Sequence, residues 1–287
     1  MSSSAFTLAG FSGWPLLLTA FAIGACIGSF LNVCIYRLPA DESVVRPGSR
    51  CQGCGAPIAW YDNIPLLSWA WLQARCRACG VAISARYPFV EAASGGLAVL
   101  AVLRFGTTLH AGIVFAFTAA LLLITFVDFD HRFIPDEVSL PGILVGLAAS
   151  FLPEGVTPLD ALVGVLVGGG VLWLVAWSYE RLTGIEGMGL GDVKLLALIG
   201  AFLGWQAIPV VLIVASVTGS FAGLAVIATR SWRAAARRIV RRHGVLALGP
   251  FLRRAARRTE IPFGPFLALG ALLALYAPPA TLLWNVG

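Results

Sequence analysis

The segment 192–229 is apolar for almost its whole length. It is too long for a single helix crossing a bilayer, which takes about 20 apolar residues. Gly204-Trp205 and Pro209 offer a break that divides it into two helices. The pattern recurs along the chain, with apolar runs at 14–36, 88–108, 110–127, 138–153, 159–178 and 262–284. Only 12% of the 287 residues are charged and 59% are hydrophobic, against roughly 25% charged in a typical soluble domain. So few charges cannot cover a water-facing surface of this size. An ordinary cytosolic enzyme, a disordered chain and a DNA-binding domain of the usual kind are excluded. The expected fold is all-α and polytopic, with about eight transmembrane helices and one small polar module.

The position of the charges predicts orientation. Ten arginines fall between Arg230 and Arg258 and six more between Arg37 and Arg86, so 16 of the 20 basic residues lie in two loops. Short arginine-rich loops stay on the cytoplasmic side, and this topogenic role explains them better than nucleic-acid binding does. Six helices separate the two loops, which puts both on one side. The turns at 128–137 and 183–191 fall on that side too, with the chain termini outside. No cleavable signal peptide is expected, because Met1 to Gly13 lacks a basic start and 14–36 suits a retained helix. Within 230–260 the arginines recur at helical spacing. The loop reads either as an amphipathic helix on anionic headgroups or as an irregular solvated segment.

Of six cysteines, Cys26 and Cys34 lie in the first apolar run and behave there as small hydrophobes. The other four form two knuckles, Cys51-Gln52-Gly53-Cys54 and Cys76-Arg77-Ala78-Cys79. Two CxxC pairs at this spacing predict a zinc site, and four thiolates close a tetrahedral structural centre rather than a catalytic one. Gly53, Gly55 and Gly80 are read as turn formers. Two disulfides are the weaker reading in a reducing compartment; a single redox CxxC gives no reason for a second. The aromatic residues of Trp60-Tyr61-Asp62-Asn63-Ile64-Pro65 suit an interfacial position.

Charged groups beside apolar helices are costly and usually functional. Two clusters qualify. Asp128, Asp130 and Asp136 lie in Val127-Asp128-Phe129-Asp130-His131-Arg132-Phe133-Ile134-Pro135-Asp136, and Asp192 lies in Gly187-Met188-Gly189-Leu190-Gly191-Asp192-Val193-Lys194. Both fall at cytoplasmic helix ends in the topology above, so they can meet although 64 residues separate Asp128 from Asp192. Two carboxylates held close share one proton. One can take a proton from water while the other polarises a peptide carbonyl and protonates the leaving amine. The glycines would let a substrate backbone approach, and a helix N-terminus would stabilise the Asp192 carboxylate. The plainer readings are an N-cap for Asp192 and a surface loop acid for Asp128. No Gly-x-Ser-x-Gly or His-Glu-x-x-His is present.

These stretches, with Gly28-Ser29-Phe30-Leu31-Asn32 through Arg37-Leu38-Pro39, Asp62-Asn63-Ile64-Pro65-Leu66-Leu67-Ser68-Trp69 and Arg86-Tyr87-Pro88, resemble the bacterial type IV prepilin leader peptidases, membrane-embedded aspartic peptidases. The match spans most of the chain, in family order. It implies eight transmembrane helices, residence in the bacterial inner membrane and an active site facing the cytoplasm. It also implies cleavage of the short basic leader of prepilins and pseudopilins after a glycine. By position the resemblance makes Asp128 and Asp192 the catalytic pair, since the family's first aspartate stands six residues before the isoleucine of Ile134-Pro135. Members with the cysteine loop are commonly bifunctional and methylate the new N-terminus with S-adenosylmethionine. The sequence has no glycine-rich nucleotide loop, so that cofactor rests on the resemblance alone.

The expected organisation is a first helix in 1–36, a tetracysteine zinc domain in 37–87, helices 2–7 of the peptidase core in 88–229, a basic loop in 230–260 and a last helix in 261–287. The stretch Ser231 to Thr259 is longer and more basic than the family's usual connection, and suits lipid headgroups or an assembly partner. The partners expected are prepilin substrates and membrane lipid, with no nucleic acid; the sequence leaves oligomeric state open. Other function classes stay in view: a peptidase without methyltransferase activity, an ion-coupled transporter using the two acids, and a scaffold docking partners through its zinc loop.

Overall fold

Nine α-helices and no β-strand are found among the residues described, which in this computed structural model are 13–184, 189–227 and 262–276. They are α1 (Trp14–Arg37), α2 (Leu67–Trp71), α3 (Arg86–Phe105), α4 (Leu109–His131), α5 (Asp136–Ala149), α6 (Pro158–Thr183), α7 (Leu190–Leu203), α8 (Ile208–Ile227) and α9 (Gly264–Tyr276). Apart from the short α2, each grows from one of the apolar runs. The long run at 192–229 does divide, with Gly204 in a positive-φ conformation at the break and a 3-10 turn, Trp205–Ala207, leading into α8. The basic loop 230–260, with its suggested amphipathic helix, lies outside the described residues.

Five helices, α1, α3, α4, α6 and the stretch Trp205–Val226, are long and apolar enough to cross a membrane. The chain is thus a multi-pass membrane protein. Among the described residues the expected count of eight is thus not confirmed. Helices α5 and α7 have 14 residues each, about 21 Å of helix against a hydrocarbon core of about 30 Å. Large apolar side chains stand exposed along α1 (Leu16, Leu18, Ile23), α6 (Leu162, Leu166, Leu174) and α8 (Ile213, Val217, Phe221). Lipid tails cover such side chains, and helices meet the backbone hydrogen-bond demand that lipid imposes.

The chain divides into two compact units. The first holds Met1–Val127 and Pro135–Gly155, the second Asp128–Ile134 and Val156–Gly287. In the first, α1 packs along α3 through small residues. A Cβ at Gly28 would lie 2.7 Å from the Glu91 Cα, and one at Gly24 2.7 Å from the Ser94 carbonyl oxygen. This is the Gly-x-x-x-Gly device by which membrane helices approach closely. Ser94 Oγ completes the contact by donating to the Gly24 carbonyl at 2.7 Å.

In the second unit α7 is the core. Every residue from Leu195 to Ala201 is buried, so this helix is enclosed on all sides. Helix α6 begins at a Thr157 cap that accepts from the Asp160 N–H at 3.2 Å and then lies against α7 backbone to backbone. A Cβ on Gly164 would run into the Gly200 carbonyl, and one on Gly200 into that of Gly164. Helix α9 packs on α8, where a Cβ at Gly270 would lie 2.8 Å from the Val211 carbonyl oxygen.

Candidate active site and cysteine module

The acidic segment after α4 is shorter than the sequence suggests. Asp128 and Asp130 are not in a turn: α4 continues through His131. The helix persists because the Arg132 N–H still reaches the Asp128 carbonyl, at 2.9 Å. It then stops at Arg132, whose φ of 58° breaks the repeat, and Pro135 starts α5 from an extended conformation. Only Arg132–Pro135 bridge the two helices.

Burial separates the three aspartates. Asp128 is 6% exposed, whereas Asp130 and Asp136 lie on the surface. His131 is exposed as well, edge-on to Phe133. Asp128 Oδ2 accepts the backbone N–H of Gly264 at 2.9 Å, at the first residue of α9.

Asp192 is not the N-cap of α7. Gly189 occupies that place, in an extended conformation, and Asp192 is the third residue of the helix. Its carboxyl therefore lies within the first turn, where the helix N-terminus favours a negative group. Asp192 and Asp128 are near enough for their charges to interact. The two motifs also touch: a Cβ on Gly191 would lie 3.1 Å from the Ile134 Cβ, and Ile134 is buried. Gly191 is therefore spent on packing against the Ile134-Pro135 turn. At Gly189 the one atom among the described residues within 4 Å of a Cβ is the Gly191 N, at 3.9 Å.

Sequence reading missed Gly264. Its signal was present in Pro262-Phe263-Gly264-Pro265, since a proline beside the first helical position marks a helix start. Nothing in one sequence says what such a start faces.

The cysteine module belongs to the first unit. Its two knuckles are built alike. Cys51 N–H donates to the Ala56 carbonyl and Gly55 N–H to the Cys51 carbonyl; Cys76 N–H donates to the Val81 carbonyl and Gly80 N–H to the Cys76 carbonyl, all at 2.9 Å. Gly55 and Gly80 take φ of 72° and 71°, the left-handed conformation each turn needs. Gly53 does not share that reason: a Cβ there would press on Val81 of the other knuckle at 3.0 Å.

All six cysteines are free, and the four Sγ atoms of Cys51, Cys54, Cys76 and Cys79 lie within 4.8 Å of one another. Cys51 and Cys79 are 3.8 Å apart. A tetrahedral ion with metal–sulfur bonds of about 2.3 Å sets its sulfurs about 3.8 Å apart, so the set fits one metal ion. The backbone N–H groups of Cys54 and Gly53 pull the Cys51 thiol down to about 6. Cys79 accepts a backbone bond from Val81 that works downward, but its bonds with the other thiols and desolvation push it up to about 12. The Cys51 thiolate thus forms readily, and a cation would be needed to ionise Cys79.

The module is tied down at several points. Asp62 receives a bidentate pair from Arg77, Nε at 2.7 Å and Nη2 at 2.6 Å. That guanidinium holds the Asp62 carboxyl below the usual range and lies 5.7 Å from the Tyr61 ring centroid. Buried Arg37 donates to the Ser43 and Gly48 carbonyls at 2.9 and 3.2 Å. Glu91, buried on α3, accepts the N–H of Leu66 at 2.8 Å and holds that residue at a φ of 63°.

Comparison with known proteins adds two family matches. Residues 22–105 match the bacterial peptidase A24 N-terminal domain, and residues 115–224 match the type IV leader peptidase family. Among curated relatives, the "Prepilin leader peptidase/N-methyltransferase" of Aeromonas hydrophila is 37% identical over 91% of this chain and 91% of its own. That of Burkholderia pseudomallei strain 1026b is 35% identical over 96% and 91%. That of Myxococcus xanthus is 44% identical over 76% and 65%. No solved structure gives a significant match.

Proposed function

Because the chain belongs to the type IV leader peptidase family, we propose that it is a membrane-embedded aspartic endopeptidase with Asp128 and Asp192 as its catalytic pair. It removes the short basic leader of type IV prepilins and pseudopilins at the cytoplasmic face of the bacterial inner membrane, and then N-methylates the new N-terminus. Eight transmembrane helices carry it, with 37–87 as the cytoplasmic zinc domain and 88–229 plus 261–287 as the membrane core.

The observation that carries this reading is the packing of Gly191 on Ile134, which brings the first turn of α7 with Asp192 to the turn that follows the buried Asp128. Two such carboxyls share a proton. The ionised one takes a proton from water, and the hydroxide formed adds to the carbonyl carbon of the scissile bond. The protonated one gives its proton to the carbonyl oxygen. The tetrahedral intermediate collapses as the first carboxyl passes the proton taken from water to the nitrogen and the second takes a hydroxyl proton back, releasing the leader's new C-terminus and a free amine on the pilin.

The four clustered thiols suit a zinc ion, whose role is to hold the two knuckles together. S-adenosylmethionine would supply the methyl group in the second reaction.

The test is incubation of the purified protein with a prepilin peptide and S-adenosylmethionine, read by mass spectrometry. A pilin fragment cut after the leader glycine and carrying one methyl group is the expected product. A cut, unmethylated fragment would leave a peptidase alone. No cleavage would move the two acids to ion-coupled transport.

A further inference from the structure

We infer that Gly264 is a positioning residue for the Asp128 carboxylate, a role that rests on the reading of Asp128 as catalytic. The backbone N–H of Gly264 is held 2.9 Å from Asp128 Oδ2, and both residues are buried. A backbone amide at a helix N-terminus is a natural donor to a carboxylate. Because it belongs to the main chain, it has no rotamer to lose.

The absence of a side chain is equally specific. A Cβ on Gly264 would lie 2.6 Å from Asp128 Oδ2, 3.2 Å from its Cγ and 3.4 Å from its Cβ. The three nearest atoms all belong to Asp128. Gly264 has no left-handed φ, so backbone conformation does not require glycine here; space does. A methyl group at 264 would have to displace either α9 or the carboxylate. Helix α9 resists, because Leu267, Ala268 and Ala271 are buried and Gly270 meets the α8 backbone at Val211. What yields is the Asp128 side chain.

The arrangement commits one oxygen of Asp128 to a fixed donor and leaves Oδ1 for water and the Asp192 carboxyl. Misplacing a reacting group by about 1 Å costs on the order of 100-fold in rate. Gly264 thus sets the aim of the carboxylate without touching substrate.

The test measures steady-state cleavage of a prepilin peptide over a range of pH by the full-length wild type and four variants. Gly264→Ala adds the Cβ. An ester in place of the Phe263–Gly264 peptide bond removes the N–H and adds nothing. Gly170→Ala is the control, since its Cβ would meet nothing within 4 Å among the described residues. Asp128→Asn tests the underlying assignment. Gly264→Ala is expected to keep its melting temperature and KM, to lose about 100-fold in kcat, and to move the acidic limb of the pH–kcat profile by about one unit or more. The ester is expected to move the same limb with a smaller loss of kcat, and Gly170→Ala to change neither. Wild-type kcat and an unmoved profile in Gly264→Ala would overturn the proposal. If Gly264→Ala unfolds, the ester decides: an unmoved limb there overturns it equally. Full cleavage by Asp128→Asn would instead remove Asp128 from the catalytic pair, a failure of the prior reading and distinct from the others.

Discussion

Gly191 and Ile134 touch where two motifs 57 residues apart in sequence meet: a Cβ on the glycine would lie 3.1 Å from the Ile134 Cβ. This contact sets the first turn of α7, and with it Asp192, against the turn that leaves Asp128 at the end of α4. The Gly-x-Gly-Asp motif therefore has two glycines with different duties. Gly191 is a packing surface, and a Cβ at Gly189 would meet only the Gly191 N among the described residues.

That difference is testable. Gly191→Ala should displace α7 relative to Ile134 and lower cleavage by about tenfold or more, while Gly189→Ala, where backbone φ is −70°, should fold normally and act mainly on KM. Trimming the partner with Ile134→Ala, which removes the Cγ1 and Cδ1 that lie 3.3 and 3.4 Å from that Cβ, should restore part of the activity of Gly191→Ala. Cleavage kinetics of the two single variants and the double variant check this; no recovery in the double variant would place the Gly191 requirement elsewhere.

The α6–α7 contact gives a stability prediction independent of catalysis. Gly200→Ala forces a methyl into the Gly164 carbonyl, a backbone atom that cannot swing aside. It should destabilise the protein by roughly 1–3 kcal/mol, the usual cost of overpacking. Gly170→Ala on the same α6 meets nothing and should be neutral or slightly stabilising. Thermal unfolding in detergent separates them.

Metal binding at the knuckles should follow pH in one direction. The ligands are thiolates, and protons compete with the ion. Cys51, drawn down to about 6, remains ionised as the solution is acidified from neutral, and metal should be retained there. As pH falls through about 6 and below, this anchor protonates and metal content should drop. Cys51→Ser or Cys79→Ser should lower metal content at neutral pH and open residues 51–80 to protease. Elemental analysis across a pH series checks the sign.

Much of this was legible in the sequence because membrane helices are written as apolar runs and cysteine knuckles as Cys-x-x-Cys-Gly. The break at Gly204 and the knuckle turns at Gly55 and Gly80 follow from local chemistry alone. What was not legible depends on partners distant in the chain. The acids at 128 and 130 looked like a turn because aspartate is a poor helix former, yet α4 keeps its hydrogen bonds through His131. Gly53 looked like a turn former and is a packing contact with Val81. Gly264 carried no visible chemistry, because its function lies in a backbone N–H and a missing Cβ, 136 residues from the carboxylate it serves. Among the described residues five helices reach spanning length, because α5 and α7 have 14 residues each and α9 is described over 13.

The most direct test of the catalytic pair is the kcat of Asp128→Asn and of Asp192→Asn on a prepilin peptide, each measured on protein that keeps the wild-type melting temperature. Two carboxyls that share one proton act as a unit, so each substitution should reduce cleavage by about 1,000-fold or more, and the double variant should lose little beyond either single one. Cleavage at the wild-type rate by either variant would contradict the account.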